Sequence, residues 1–167
     1  AARIETSAER VSRLIRDLLD FTQARLGGGL KMERRPTDLH RIAHLVVDEM
    51  RVVHPEREMT FHATGDGTGE WDEDRLAQVV SNLMTNAIKY GAADTPVWVR
   101  TRSDDGEVVL EIHNEGEPIP PEQVPKLFEP LYRANWSKDR ASRSVGLGLY
   151  IVYNIVKAHG GSIEVES

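Results

Sequence analysis

The sequence predicts an α/β domain that follows a long N-terminal amphipathic helix. Apolar residues recur at helical spacing in several stretches and alternate at period two in others, and the two kinds of stretch are interleaved. The composition agrees with a folded domain, because 40% hydrophobic and 29% charged residues are ordinary for a globular protein. The 167 residues suffice for one domain with a substantial core and an added helix.

The first element is an amphipathic helix over residues 4–26. Its apolar residues recur at steps of three and four: Ile4, Ala8, Val11, Ile15 and Leu18. Such a face needs partner helices from an upstream segment or from a second copy of the chain. The glycines at 27–29 end the helix, and we interpret them as a linker because no strand precedes them and no Lys-Ser/Thr pair follows.

A second helix and a strand follow this linker. Residues 38–53 carry an apolar face behind a Pro-Thr-Asp entry, and residues 59–64 alternate as a strand. His40 and His44 lie one turn apart on the helix. A zinc pair is a weak alternative there, because neither a third ligand nor a carboxylate partner is evident.

A helix over residues 71–90 is the centre of the domain, with Asp72 or Asp74 at its start. One stripe is apolar: Leu76, Val80, Leu83 and Ala87. The other stripe is polar: Arg75, Asn82, Asn86 and Lys89. Two asparagines one turn apart are unusual on a solvent face, because asparagine is a mediocre helix former. Amide oxygens suit Mg²⁺ and a lysine suits phosphate, whereas a plain solvated face is the alternative.

Two strands over residues 97–102 and 107–113 form a hairpin across Asp104-Asp105-Gly106. The second strand runs into Asn114, Gly116 and the Pro-bounded Ile119. A strand that stops in this way lets a small planar ligand approach the backbone. A surface loop is the alternative and is favoured when this stretch is taken alone.

The last third of the chain combines a basic segment with a glycine pair. A short helix over residues 121–127 precedes the basic segment 133–144, which we interpret as a mobile loop. A Gly-Leu-Gly-Leu run at 146–149 precedes a helix over residues 150–158, where free N–H groups suit an anion. Alone this signal is weak. Residues 162–166 begin another alternating strand.

Charge and composition exclude several classes of function. Residues 1–35 hold eight Lys/Arg and five Asp/Glu. The remaining residues hold 13 Lys/Arg and 22 Asp/Glu, which gives them a net charge of about −9. Such an acidic body argues against nucleic-acid binding. The chain has no cysteine, which excludes thiol catalysis, and no apolar run approaches the roughly 20 residues that span a membrane. We expect a cytoplasmic location without membrane contact by this chain.

These signals occur in one order: NxxxNxxKY on a helix, a strand into N-x-G-x-x-I, an F-E-P turn, a basic loop, and GLGL before a helix. The order resembles the ATP-binding catalytic domain of bacterial sensor histidine kinases, within the GHKL superfamily. The resemblance implies a Bergerat-type two-layer sandwich over residues 31–167, with a mixed, mainly antiparallel sheet covered on one face by three helices. Residues 1–30, with LIRDLLDFTQAR, resemble the second helix of the family's dimerisation and phosphotransfer hairpin, which would protrude from the domain.

The resemblance also implies the binding residues. Asn86 would be the main Mg²⁺ ligand with Asn82 beside it, and Asn114 would recognise adenine. The other implied nucleotide contacts are Lys89, Tyr90, Gly116, Ile119, Phe128, Arg133, Gly146, Leu147, Gly148 and Leu149. Phe128 would anchor a lid formed by residues 133–144. Most members carry aspartate where Asn114 stands, and an amide can still accept from the adenine amine and donate to the ring. An asparagine at this position resembles the pattern of phytochrome-type members.

The implied function is transfer of the γ-phosphoryl group of ATP, with Mg²⁺, to a histidine on the hairpin. The implied partners are ATP, the hairpin phosphoacceptor helix, a response regulator that meets the full-length protein, and a second copy in a homodimer. We expect the chain to be a fragment, because the family's phosphoacceptor histidine and its closing strand do not occur in the sequence. On this view the chain contains no catalytic histidine.

Two other functions remain open. The first is a GHKL ATPase that hydrolyses ATP with a carboxylate base on the central helix. Gln78 and Asn82 stand near that position and no glutamate does, which counts against hydrolysis. The second is a non-enzymatic dimerisation module whose nucleotide site is degenerate.

Overall fold

The computed structural model describes residues 2–25, 29–132 and 145–167. The described chain divides into two compact units. One comprises Met32–Ile119 with Ser167, and the other comprises Ala1–Lys31 with Pro120–Glu166.

The unit Met32–Ile119 is built on a three-stranded mixed sheet. Its strands are β2 (Met59–Thr64), β4 (Val97–Asp104) and β5 (Glu107–Asn114), in the order β2-β4-β5. β2 runs parallel to β4, and β5 runs antiparallel to it. Asp105 and Gly106 form the hairpin turn with φ of 45° and 84°, as a two-residue loop requires. The predicted hairpin is therefore confirmed.

A second, two-stranded ladder was not predicted. β1 (Arg35–Asp38) pairs antiparallel with β3 (Thr68–Trp71). Each strand has only four residues, too few for alternation to stand out from a turn. Asp66 organises the turn before β3, because the backbone N–H and hydroxyl of Thr68 both donate to its Oδ1. These hydrogen bonds hold the pKa of Asp66 below its ordinary value.

Two helices, α2 (Leu39–Val53) and α3 (Glu73–Tyr90), pack on this sheet. The buried cluster between the layers consists of Ala43, Val46, Val47, Met59, Val80, Met84, Ala87, Val97 and Val99. The prediction that Leu76 and Leu83 pack in this core was wrong, since both are half-buried and neither belongs to the cluster. Met84 is fully buried instead. The stripe of α3 that packs is thus rotated toward Ala77, Met84 and Ile88, because the sheet lies on that side.

Buried or half-buried aspartates begin both helices. The Asp38 side chain accepts from the backbone N–H of His40 at the start of α2. Asp72, 8% exposed, accepts from Arg75 N at 3.1 Å with one oxygen and from Glu33 N at 2.8 Å with the other. Of the two predicted starts of α3, the structure therefore selects Asp72. This residue also ties the chain before β1 to the helix.

The other unit contains α1 (Ala2–Arg25) and α4 (Gly148–Ala158), which contact each other. The rings of Phe21 and Tyr150 are 5.7 Å apart at this contact. Val11, Ile15, Leu18 and Leu19 of α1 are each more than half exposed. Among the described helices, none combines the length and the apolar character that crossing a membrane requires.

Two predicted elements near the end of the chain differ from the structure. The helix expected at 121–127 is a 3-10 turn over Val124–Lys126. The strand expected at 162–166 is absent from the described chain. An alternating pattern becomes a strand only where a neighbouring strand supplies hydrogen bonds, and none of the described strands pairs with these residues.

Candidate nucleotide-binding site

Asn82 and Asn86 lie on the side of α3 opposite Met84 of the sheet-facing cluster, close in angle to the buried Val79. Asn86 follows the buried Met84 by two residues, which rotates its side chain by about 200° around the helix. Both asparagines are half-buried. The Nδ2 atom of Asn82 is buried and forms no hydrogen bond within the described chain. Leaving a buried amide unpaired is costly, so this face is suited to a polar ligand.

The C-terminal end of α3 carries a cation and an aromatic side chain together. Lys89 Nζ donates to Tyr90 Oη at 2.7 Å and lies 4.4 Å from the centre of the Tyr90 ring. Tyr90 is 45% exposed. The Tyr90 ring is therefore partly exposed beside the Lys89 ammonium and can pack against a ligand.

The end of α3 is joined to the end of β5. Gly91 and Gly116 form an antiparallel bridge, and Ala92 N donates to Glu115 O at 2.7 Å. A Cβ atom on Gly116 would lie 2.8 Å from Tyr90 O, and one on Gly91 would lie 2.5 Å from Ala87 O. Only glycine allows this close approach of the two backbones. The structure thus brings the predicted residues Tyr90 and Gly116 together.

Asn114 is the last residue of β5, beside this bridge. Its Nδ2 donates to Glu115 O at 3.4 Å, which is long for a hydrogen bond, and its Oδ1 accepts none within the described chain. Ile119 is half-buried, and its N–H donates to Ser167 Oγ at 2.7 Å. The amide of Asn114 therefore keeps an acceptor available for a ligand.

The remaining predicted residues lie in the other unit. The Phe128 ring is 5.7 Å from that of Tyr153, and Leu131 N donates to Gly146 O at 3.0 Å. This bond links two described residues that flank the basic segment in the sequence. Residues 133–144, including the predicted phosphate contact Arg133 and the rest of the predicted lid, lie outside the described residues.

The start of α4 fits an anion. Leu147, 4% exposed, precedes the helix, and no side chain caps the helix start. Gly148 and Leu149 are its first two residues, so their backbone N–H groups have no partner within the helix. Gly146 has a φ of 78°, a conformation that glycine adopts without strain. The predicted phosphate-binding glycines thus stand where a helix N-terminus attracts negative charge.

The donor set on α3 fits Mg²⁺ better than it fits zinc. Among the described residues, no group of three or more His, Asp, Glu or Cys side chains could hold a metal ion. His40 Nδ1 bonds Thr101 Oγ1 at 2.7 Å and the His44 ring stacks on Phe61, so the zinc pair is not assembled. Mg²⁺ needs only one or two protein oxygens beside phosphates and water, and the amides of Asn82 and Asn86 can supply them.

Sequence reasoning missed one residue near this site. Arg57 is 7% exposed, and its Nη1 donates to Ala92 O beside the Gly91–Gly116 bridge. An arginine that follows a turn is usually solvent-exposed, so only the fold shows that its guanidinium is buried.

Comparison with known proteins decides the family. Residues 71–167 match the model of the family described as histidine kinase-, DNA gyrase B-, and HSP90-like ATPase. The chain belongs to this family. The relatives and solved structures that it resembles include sensor histidine kinases.

Two relatives are similar to this family member over nearly its whole length. The probable sensor histidine kinase TcrY of Mycobacterium tuberculosis is 36% identical over 167 residues, which cover 99% of this chain and 35% of TcrY. A bacteriophytochrome of Pseudomonas aeruginosa is 32% identical over 163 residues, which cover 98% of this chain and 22% of that protein. The chain thus spans about a third or less of these relatives.

Solved structures confirm the α/β fold. The mycobacterial sensor histidine kinase MprB has a TM-score of 0.69 and 27% identity, with 78% of this chain and 83% of that chain covered. Full-length ShkA, crystallised in complex with AMPPNP, has a TM-score of 0.76 and 25% identity, with 96% of this chain and 34% of that chain covered.

Proposed function

We propose that this chain binds Mg-ATP and supplies the catalytic site that transfers the γ-phosphoryl group to a histidine on the dimerisation and phosphotransfer hairpin. One observation carries the proposal. The helix that bears Asn82 and Asn86 ends at the glycine bridge beside Asn114, so the candidate metal and base contacts lie on directly connected elements.

Each residue of this framework has a separate role in the proposal. Asn86, with Asn82 beside it, would hold Mg²⁺, which neutralises the phosphate charge when bound. Asn114 would accept from the adenine amine, and Lys89 would meet a phosphate as a point charge. In the other unit, the uncapped start of α4 would by itself suit a phosphate through its N–H groups. Catalysis would come mainly from positioning and charge stabilisation rather than from a covalent intermediate.

The other partners in the proposal belong to the full-length protein. It would act in the cytoplasm, pair with a second copy through helices such as α1, and pass the phosphoryl group to a response regulator. The apolar side chains of α1 support this pairing, since Val11, Ile15 and Leu18 are more than half exposed.

The experiment that tests the proposal adds labelled ATP, Mg²⁺ and a separate hairpin peptide to the purified chain. The peptide carries a histidine followed by an acidic residue. We expect acid-labile label on the hairpin, and none when that histidine is replaced by glutamine. Free phosphate with an unlabelled hairpin would support the ATPase instead. Failure to detect Mg-ATP binding by calorimetry would support the non-enzymatic module.

A further inference from the structure

Arg57 is a buried cation with unused hydrogen-bonding capacity. It is the one lysine or arginine among the buried residues of the described chain, at 7% exposure. Its Nη1 donates to Ala92 O, but its Nε and Nη2 are buried and form no hydrogen bond with described residues. A buried guanidinium with unpaired donors is costly, so a role beyond packing is indicated.

One of the unused donors, Nη2, lies near Asn114. A Cβ atom built on Gly91 would come within 2.5 Å of Arg57 Nη2 and within 3.3 Å of Asn114 Cβ. The guanidinium and the asparagine therefore approach the same small space, which Gly91 leaves open. Arg57 is also fixed there through Ala92, whose N–H donates to Glu115 O directly after Asn114.

The orientation of the Asn114 amide decides which base it recognises. With Oδ1 toward the ligand, the amide accepts from the amino group of adenine. Turned over, it presents a donor, which suits the O6 of guanine. The observed bond from Nδ2 to Glu115 O, at 3.4 Å, is too long to fix the amide by itself. An aspartate would not face this choice, since both of its oxygens accept.

We propose that Arg57 is a specificity-determining positioning residue for the base of the nucleotide. Its Nη2 donates to Asn114 Oδ1 in the bound state, which holds that oxygen as the acceptor that adenine requires. A carbonyl oxygen has two lone pairs and accepts from the guanidinium and the adenine amine together. This inference rests on the ATP site proposed above and adds the group that selects adenine over guanine.

The test compares affinities for two bases and for a ligand without a base. A fluorescent ATP analogue is competed from the wild type and from Arg57→Gln by Mg-ATP, Mg-GTP and Mg-tripolyphosphate. We expect the preference for ATP over GTP to fall about tenfold in the variant, the size expected for one lost hydrogen bond to a charged group. Affinity for tripolyphosphate should not change. If ATP and GTP weaken equally, Arg57 only supports the backbone, and the inference is overturned.

Arg51→Gln is the matched control. Arg51 belongs to the same unit, and its Nη2 donates to the backbone oxygen of Met59 at 2.8 Å. The Arg51→Gln variant therefore loses a hydrogen bond to a backbone oxygen two strands away from Asn114, together with an ion pair to Asp48. We expect this variant to keep the wild-type preference for ATP over GTP, and a fall equal to that of Arg57→Gln would overturn the inference.

Two further variants keep the test decisive. If Arg57→Gln does not fold, Arg57→Lys replaces it, because an ammonium lacks the fork that holds Ala92 O and Asn114 together. A folded Arg57→Lys with unchanged preference would refute the inference. In the Asn114→Asp background, Arg57→Gln should leave the preference unaltered, since a carboxylate accepts in either orientation.

The outcomes also separate this inference from the proposed function. A wild-type chain that binds no nucleotide overturns both. A wild-type chain that prefers ATP, beside a folded Arg57→Gln with the same preference, overturns only the role of Arg57.

Discussion

At the scale of single residues, a substitution of Asn86 should change ligand binding without changing the stability of the fold. Its side chain lies on the half-buried polar face of α3, about 200° around the helix from the buried Met84. Removing its amide therefore removes the proposed metal contact while the sheet-facing cluster keeps its packing. The same reasoning does not apply to Val80 or Ala87, which are both in the core cluster.

We predict that Asn86→Ala weakens Mg-dependent ATP binding by at least about tenfold and leaves the thermal midpoint nearly unchanged. Isothermal calorimetry with and without Mg²⁺ measures the first effect, and circular dichroism measures the second. Thr85→Ala is the control, because Thr85 is a half-buried polar neighbour on the same helix. Equal affinity and equal metal dependence in Asn86→Ala and wild type would exclude Asn86 as a ligand.

At the scale of elements, α3 has two neighbouring apolar stripes, and the sheet selects one of them. Met84 is fully buried in the cluster with Val80 and Ala87, whereas Leu83 is half-buried and outside it. The two residues are adjacent in sequence and similar in size. Because the two side chains have similar volumes, a difference in the stability lost on truncation reports which stripe of the helix packs in the core.

We predict that Met84→Ala lowers the free energy of unfolding by about 2–5 kcal/mol, since it leaves a cavity in a packed core. Leu83→Ala should cost less, about 1 kcal/mol, because part of its surface is already in water. Urea denaturation followed by circular dichroism compares the two. A larger loss for Leu83→Ala would show that α3 packs through the stripe that contains Leu83.

At the scale of the whole molecule, ligand binding and stability are linked. A ligand that binds only the folded chain raises the free energy of unfolding, by about 2.7 kcal/mol at a hundred times its dissociation constant. In the proposed site, the amides of the asparagines are neutral and do not neutralise phosphate charge. Mg²⁺ is therefore needed to link the asparagines to the phosphates. Stabilisation by ATP should therefore depend on the metal.

We predict that Mg-ATP raises the thermal midpoint of the chain, and that excess EDTA abolishes most of this rise. Differential scanning fluorimetry over a series of ATP concentrations measures it, with sodium chloride at matched ionic strength as the control. An equal rise with and without EDTA would contradict a magnesium site on α3.

The sequence by itself determined the family, the central helix, the hairpin and the set of polar residues on α3. These features depend on local periodicity, turn chemistry and motif order, which a chain carries before it folds. Local patterns did not predict the β1–β3 ladder, because its strands are four residues long and gain meaning only from pairing. They predicted a strand at 162–166 that has no pairing partner among the described strands.

Only the tertiary structure decided which stripe of α3 packs, which aspartate caps it, and that Arg57 is buried beside Asn114. Each of these depends on residues distant in sequence: the sheet beneath Met84, Glu33 against Asp72, and the turn at Ala92 over Arg57. Burial and long-range hydrogen bonds form only in the folded chain, so local sequence patterns do not predict them.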